Sequence, residues 1–259
     1  MSRYLRPVFT VFAAVQVLLA IGFIFQVQLI VQFWPLPYNN ATTFLLIGSF
    51  FAAAAASTFW CLWSKDDGAF AGIALDYLAI FVPMGIYSLQ ISSGRTPLVL
   101  FSLFSFVSAV WGLVLLAWSI RIPIRDSRPI PLFVRRAFVV FIVALVFVGG
   151  LLVLKVPNIL PWEVNVVGQV IYGWMFFGAA IYFIYALVKP VWYNAAGQLV
   201  GFLAYDLVLI VPFLLLLPTT EAQRLPNLIL YLIVLVSSGA VAIYYLLIAP
   251  QTRLISRTA

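Results

Sequence analysis

Eight long apolar stretches constrain the fold of this chain more than any other feature. They occupy residues 7–29, 43–63, 70–92, 98–120, 137–156, 166–188, 197–217 and 227–249. In hydrocarbon every backbone N–H and C=O must find an internal partner, so an apolar run of about 18 residues or more crosses a bilayer as a helix. The alternating pattern typical of a membrane barrel is absent. The sequence therefore predicts an all-α integral membrane protein with eight transmembrane helices.

Composition excludes several classes of protein. Hydrophobic residues make up 65% of the chain and charged residues 8%, which leaves too little polar surface for a water-soluble globule. Histidine is absent and Cys61 is the single cysteine. The commonest metal ligand, the commonest general base and any intramolecular disulfide are thereby removed. We expect no metal site, no cofactor and no enzymatic activity.

The positive charges predict an orientation in the membrane. Eleven basic residues fall in loops on one side of the predicted helices and three on the other. The larger group is Arg3, Arg6, Lys65, Arg121, Arg125, Arg128, Arg135, Arg136, Lys189, Arg253 and Arg257; the smaller is Arg95, Lys155 and Arg224. The positive-inside rule places the larger group, and with it both termini, in the cytoplasm. We interpret the charge as an insertion signal that also attracts anionic lipid headgroups, and not as a nucleic-acid site, in a protein of the cell (inner) membrane.

An internal repeat appears when the chain is shifted along itself by 129 residues. "RPVFTVF" (6–12) then aligns with "RRAFVVF" (135–141). The same shift pairs Gly68 with Gly197, Gly72 with Gly201, Pro83 with Pro212, Arg95 with Arg224 and Pro97 with Pro226. Between these blocks an offset of 126 aligns "FFAAA" (50–54) with "FFGAA" (176–180). Glycine, proline and arginine rarely match by chance in an apolar chain, so the pattern indicates a tandem duplication.

The duplication predicts the domain organisation. Residues 1–120 form a first four-helix repeat, residues 121–136 a basic, proline-rich cytoplasmic linker, and residues 137–259 a second four-helix repeat. Because four is an even number, both repeats enter and leave on the same side of the membrane. They are therefore parallel repeats, related by a pseudo-twofold axis along the membrane normal.

Each predicted repeat carries one acid within an apolar helix. "GIALDYLAIFVP" (72–83) aligns with "GFLAYDLVLIVP" (201–212), so that the pair Asp76 and Tyr77 meets Tyr205 and Asp206 in reversed order. An ionised aspartate in the membrane costs about 2.5–3.5 kcal/mol on insertion scales, and each acid should therefore face the bundle interior. The four residues are either a site for a proton or a cation, or interhelical hydrogen-bonding groups.

Two further pairs accompany these acids. Pro83 and Pro212 interrupt the hydrogen bonding of their helices, and we expect a kink at each. Arg95 and Arg224 precede the outer ends of the fourth and eighth helices. They are interpreted as arginines that reach lipid headgroups, with anion attraction at an entrance as the alternative. Glu163 and Glu221 are close enough in sequence to pair with them.

Two functions follow from these patterns. The short loops and sparse polar residues favour a non-catalytic scaffold or accessory subunit that packs against a membrane protein partner. The alternative is a transporter for a small solute, a proton or a cation, which would use Asp76 and Asp206 at the interface of the repeats.

Overall fold

The chain is all-helical over the residues that the structure describes. This computed structural model covers residues 5–36 and 40–253, and within them eight helices are long and apolar enough to cross a membrane. They are α1 (Leu5–Ile24), α2 (Ala41–Ser64), α3 (Phe70–Ile91), α4 (Thr96–Ser119), α5 (Leu132–Val153), α6 (Val166–Val188), α7 (Trp192–Leu216) and α8 (Leu225–Ile243). The predicted all-α, multi-pass architecture is confirmed.

Local sequence explains where several helices begin. The Asn40 side chain accepts a hydrogen bond from the backbone at the start of α2, and Asn165 does the same for α6. Pro97 and Pro226 stand in the first turns of α4 and α8, where a missing N–H costs nothing. A single helical turn, Gln28–Val31, follows α1, and α8 continues into a π-helical turn, Tyr244–Ile248.

Four inner helices connect the first half of the chain to the second. Helix α2 packs along α7, and α3 packs along α6. The outer helices each cover one inner helix: α1 lies on α2, α4 on α3, α5 on α6 and α8 on α7. Helices that follow one another in the inner set, α2 with α3 and α6 with α7, make few contacts. The two halves therefore meet through two separate helix pairs.

The outer helices present apolar side chains to the surroundings. Exposed examples on α4, α5 and α8 are Leu103, Val107, Val140, Val143, Leu230 and Ile233. Such a surface is unfavourable in water and natural in hydrocarbon, because lipid tails are as apolar as leucine. The eight apolar helices indicate that this surface contacts a lipid bilayer.

Glycines allow the close contacts between the halves. Gly72 of α3 packs against the ring of Tyr182 of α6. Gly201 of α7 packs against Ser57 of α2, and a Cβ at this position would lie 3.2 Å from the carbonyl oxygen of Ala53. Small residues let helix backbones approach, which increases van der Waals contact where no hydrophobic effect drives association.

The linker packs against the loops beside it. Its backbone N–H at Arg125 donates to the buried Asp66 carboxylate at 2.9 Å. The backbone of Trp192 donates to the carbonyl of Arg128 at 2.7 Å, and that of Ile130 to the carbonyl of Pro190 at 3.2 Å. Burial raises the pKa of the Asp66 carboxyl, whereas hydrogen bonds from the backbone of Arg125 and Asp126 oppose the rise. Below, the end of the bundle that carries residues 121–131 is called the linker end, and the opposite end the far end.

Several helix boundaries differ from the predicted ones, by five residues at the end of α1, which ends at Ile24, and at the starts of α5 and α7. Helix α5 begins at Leu132, so the last five residues of the segment 121–136 are helical. The physical reason is Pro131, the residue that precedes the helix: proline ends the extended linker, and a helix can start directly after it because its first N–H groups need no internal partner.

Replacement of Gly201 by valine should weaken the contact between α2 and α7. Over-packing typically costs about 1–3 kcal/mol, and a loss of this size is expected in the free energy of unfolding. Gly150→Ala is the matched control, since a Cβ at this helical glycine meets nothing within 4 Å. Thermal unfolding of both purified variants in detergent measures the difference. Equal unfolding temperatures for the two variants would show that the α2–α7 contact is not tight.

Candidate functional site

A cavity of about 370 Å³ lies inside the bundle, and all eight spanning helices contribute to its lining. Its size is within the range of roughly 300–1,000 Å³ seen for small-molecule sites. Aromatic and aliphatic side chains form most of the wall. The polar residues in the lining are Gln16, Ser57, Asp76, Tyr77, Tyr182, Gln198, Tyr205, Asp206, Asn227 and Tyr231.

Asp76 is the acid of the first half, and its side chain is partly exposed in this lining. It lies on α3, and its Oδ1 approaches Gly178 of α6 so closely that a Cβ on that glycine would clash with it. Within residues 5–36 and 40–253 the structure shows no hydrogen bond and no ion pair to this carboxylate. Asp76 is thus a carboxylate at the contact between the two halves with no protein partner in the described chain.

Tyr77, unlike its neighbour Asp76, forms a hydrogen bond within the first half. Its hydroxyl accepts a hydrogen bond from the side-chain amide of Gln16 on α1. The Gln16 carbonyl oxygen in turn lies 3.5 Å from the hydroxyl of Thr58 on α2. This chain of polar groups links three helices of the first half, and it does not include Asp76.

Asp206, the acid of the second half, has no exposed surface. Its Oδ2 accepts a hydrogen bond of 2.8 Å from the hydroxyl of Ser238 on α8. The adjacent Tyr205 shares a hydrogen bond with the hydroxyl of Tyr231, also on α8. The acid and the tyrosine of the second half therefore hold α7 to α8.

The two halves place the same pair of residue types in one cavity wall but bond them differently. One position along a helix corresponds to a rotation of about 100°. The reversed order of acid and tyrosine therefore turns Asp76 toward α6 of the other half, and Asp206 toward α8 of its own half. The four predicted residues are brought together around the cavity, and only Asp76 lacks a partner among the described residues.

Pro83 and Pro212 both lie inside helices, α3 and α7, which continue past them. Proline has no backbone N–H. The carbonyl four residues before each proline, at Ala79 and at Val208, therefore loses its helical hydrogen-bond donor. Neither of these two residues belongs to the cavity lining. The freed carbonyls are therefore outside the site that contains Asp76.

The two arginines make unlike contacts at the far end. The guanidinium of Arg95 donates to the carbonyl of Ile91 at 3.2 Å and so caps the end of α3. Arg224 is mostly buried and pairs with Glu163 at 3.7 Å and with Glu221 at 3.4 Å. Neither arginine lines the cavity of 370 Å³. Arg224 instead borders a separate polar depression at the far end, together with Asn40 and Glu163.

Sequence reasoning missed several polar residues of the site. Gln198 on α7 lines the cavity, is only 4% exposed and makes no hydrogen bond that the structure describes. Ser238, the partner of Asp206, stands where the first half has Ala109. The repeat alignment could not signal it, although that alignment pairs the adjacent residue, Ser237, with Ser108.

Replacement of Ser238 by alanine should destabilise the protein, because the buried Asp206 then loses its hydrogen-bond donor. An unsatisfied buried group of this kind costs about 1–3 kcal/mol. The double variant Ser238→Ala/Asp206→Leu, which removes both polar partners, should recover most of that loss. Unfolding temperatures of the wild type and both variants in detergent measure the effect. A double variant no more stable than Ser238→Ala would contradict the assignment.

Comparison of the chain with protein-family models, with curated proteins and with solved structures finds no match. The cavity and the residues that line it are therefore the features that bear on function.

Proposed function

We propose that this multi-pass membrane protein moves a small solute across the bilayer, with the cavity between the inner helices as its binding chamber. The observation that carries the proposal is the position of Asp76. It is a carboxylate without a protein partner among the described residues, in the wall of a cavity of about 370 Å³, at the contact between the two halves of the chain.

The cavity itself favours transport over a purely structural role. Protein interiors are packed as densely as organic crystals, and voids larger than a water molecule are few. A bundle whose only task is to hold a neighbouring protein gains nothing from an open centre. A chamber lined by all eight spanning helices is instead what a solute needs when it passes between two halves.

The contrast between the two acids supports the same proposal. Asp206 shows how this fold treats a structural acid: it is fully buried, and a serine on a neighbouring helix bonds it. Asp76 has no such bond in the described chain. An intramembrane acid is costly, and one that is left without a partner is a functional group by default. We therefore assign solute binding to Asp76 and a structural role to Asp206.

We further propose that the chain is a tandem duplication with parallel repeats. The packing supports it, because exchanging the halves leaves the pattern of contacts unchanged: α2 with α7 becomes α6 with α3. The aligned glycines Gly72 and Gly201 also occupy comparable places, each against an inner helix of the other half. A cavity between the repeats agrees with the location of binding sites in transporters built from repeats.

The proposed orientation puts the linker end in the cytoplasm of a cell whose inner membrane holds the protein. Within the described ranges, nine basic residues lie at the linker end and three at the far end. Arg121, Arg125, Arg135 and Arg136 are exposed there, where they suit contact with anionic headgroups.

Cysteine labelling tests this orientation. The native Cys61 is fully buried, so the background should be low. Ala222→Cys, in the exposed α7–α8 loop, should react with a membrane-impermeant maleimide on intact cells. Ser127→Cys, exposed in the linker, should react only after the membrane is permeabilised. The reverse pattern would place the linker outside the cell.

A role as scaffold or accessory subunit is the competing function, and the structural bond between Asp206 and Ser238 favours it. Flux measurements on proteoliposomes separate the two. The wild type should carry at least one member of a panel of protons, alkali cations and small organic amines. Asp76→Asn should abolish that flux because the neutral amide cannot balance a cation, whereas Asp206→Asn should retain it.

A second experiment tests the scaffold function directly. Purification from native membranes in mild detergent shows whether a stoichiometric partner accompanies the chain. Co-purification of such a partner, together with no flux of any panel member by the wild type, would replace the transport proposal with the scaffold.

A further inference from the structure

We infer that the cavity takes a lipophilic organic monocation, which reaches Asp76 from the hydrocarbon phase. This inference rests on the proposed transport function and names its class of solute. Four properties of the cavity carry it: its charge, its lack of ligands for a metal ion, its aromatic wall and its opening toward lipid.

The charge of the lining selects a cation. Among the described residues that line the cavity, Asp76 and Asp206 are the ionisable acids, and no lysine or arginine accompanies them. Asp206 is covered completely and bonded by Ser238. The partly exposed carboxylate of Asp76 is therefore the group that a charged solute meets, and an anion or a neutral molecule would leave it without a counter-charge.

The same lining disfavours a bare metal ion. Alkali and alkaline-earth ions need several oxygen ligands to replace their water, as the 6–8 ligands of calcium illustrate. The described residues contain no group of three or more acids, cysteines or histidines that could hold a metal. The wall around Asp76 is mostly apolar. A cation that carries its own apolar substituents loses little hydration on entering such a space.

Aromatic rings from both halves line the same cavity as the carboxylate. Tyr182 of α6 packs on Gly72, one helical turn from the place where Asp76 meets Gly178. Tyr77 and Phe81 of α3 stand edge to face, with ring centroids 5.4 Å apart. Aromatic faces attract ammonium groups, most strongly when water is excluded. A carboxylate combined with such rings is a recognition site for an organic ammonium ion.

The cavity also reaches the lipid-facing surface. Three residues of its lining on outer helices are more than half exposed: Phe104 of α4 at 53%, Phe147 of α5 at 65% and Leu230 of α8 at 60%. A solute dissolved in the bilayer can contact these side chains before it reaches the interior. The entrance thus suits a molecule with an apolar body.

Gln198 adds a second polar group to the lining. It lies on α7 and is 96% buried without a described hydrogen bond. In the alignment of the halves it stands seven residues before Tyr205, the counterpart of Asp76, which corresponds to about 10 Å along a helix. Its carbonyl oxygen can therefore accept a hydrogen bond from a part of the solute that lies away from the ammonium group.

The test compares two ligands of the same shape. Isothermal titration calorimetry on the full chain in maltoside detergent measures binding of 4-phenylbutyl-trimethylammonium and of its neutral isostere, in which carbon replaces nitrogen. The cation should bind at least about tenfold more tightly, a difference of about 1.4 kcal/mol. Asp76→Asn should remove this preference, and Asp206→Asn should retain it. Phe81→Leu should weaken binding of the cation by about two- to fivefold more than it weakens binding of the isostere.

Folding of the variants is checked first, by size exclusion and thermal unfolding. Should Asp76→Asn fail to fold, Gly178→Ala takes its place, because the added Cβ displaces the carboxylate and should also reduce the preference for the cation. Equal affinity of the wild type for the cation and the isostere overturns the inference. A preference that survives in a folded Asp76→Asn or Gly178→Ala protein overturns it as well.

Two sources of the ammonium group, a lipid headgroup and a free amine, are distinguished by competition. Dihexanoyl phosphatidylcholine below its micellar concentration displaces the probe if the natural ligand is a lipid headgroup, and leaves it bound if the ligand is a free amine. The proposed function is tested separately: binding of the cation without its flux in proteoliposomes removes transport and keeps this site. Flux of another solute without cation binding removes this site and keeps transport.

Discussion

Close backbone contact at two glycines is the interaction on which the rest of the bundle depends. In lipid there is no hydrophobic drive for helices to associate, so van der Waals contact and interhelical hydrogen bonds, such as that from the Ser57 hydroxyl to the Gly197 carbonyl at 3.0 Å, hold the halves together. Gly72 and Gly201 allow it by seating Tyr182 and Ser57 directly on a helix backbone. The inner helices consequently pair across the halves, α2 with α7 and α3 with α6, and not with their neighbours in sequence. Space remains between the two pairs, and the cavity of about 370 Å³ lies inside the bundle they form.

The two acids show how aligned segments of one chain can make different contacts. Both halves keep an aspartate and a tyrosine one turn beyond the contact glycine, yet their order is reversed. The reversal directs Asp206 toward Ser238 of a helix in its own half, where it forms a structural bond. It directs Asp76 toward α6 of the other half, where no side chain of the described chain forms a hydrogen bond or an ion pair with it. One of the two aligned acids is therefore bonded within its own half, and the other is a carboxylate without a partner among the described residues.

Sequence alone could predict the eight helices and the acids within them, but not the cavity. Run length and backbone hydrogen bonding determine the spans, and these do not depend on tertiary contacts. The sequence does not predict which face of each helix points inward, because helices that are apolar all round carry little amphipathic signal. Gln198 could therefore not be assigned to the cavity wall. Ser238 could not be predicted as the partner of Asp206 either, because its counterpart in the first half is Ala109.

Hydrogen bonds join the two halves at both ends of the bundle. At the linker end, backbone hydrogen bonds join residues 128–130 to residues 190–192, and the Asp66 carboxylate accepts a hydrogen bond from the linker. At the far end, the indole N–H of Trp162 donates to the Thr43 hydroxyl at 3.1 Å, and the Asn40 side chain donates to the carbonyl of Glu163 at 3.0 Å. The ion pair of Arg224 with Glu163 lies within the second half, and exposed ion pairs contribute about 0–1 kcal/mol. Because Trp162 and Thr43 are buried, their hydrogen bond is the stronger of these far-end contacts, and it joins the halves where the cavity lining extends to Trp34 and Asn227.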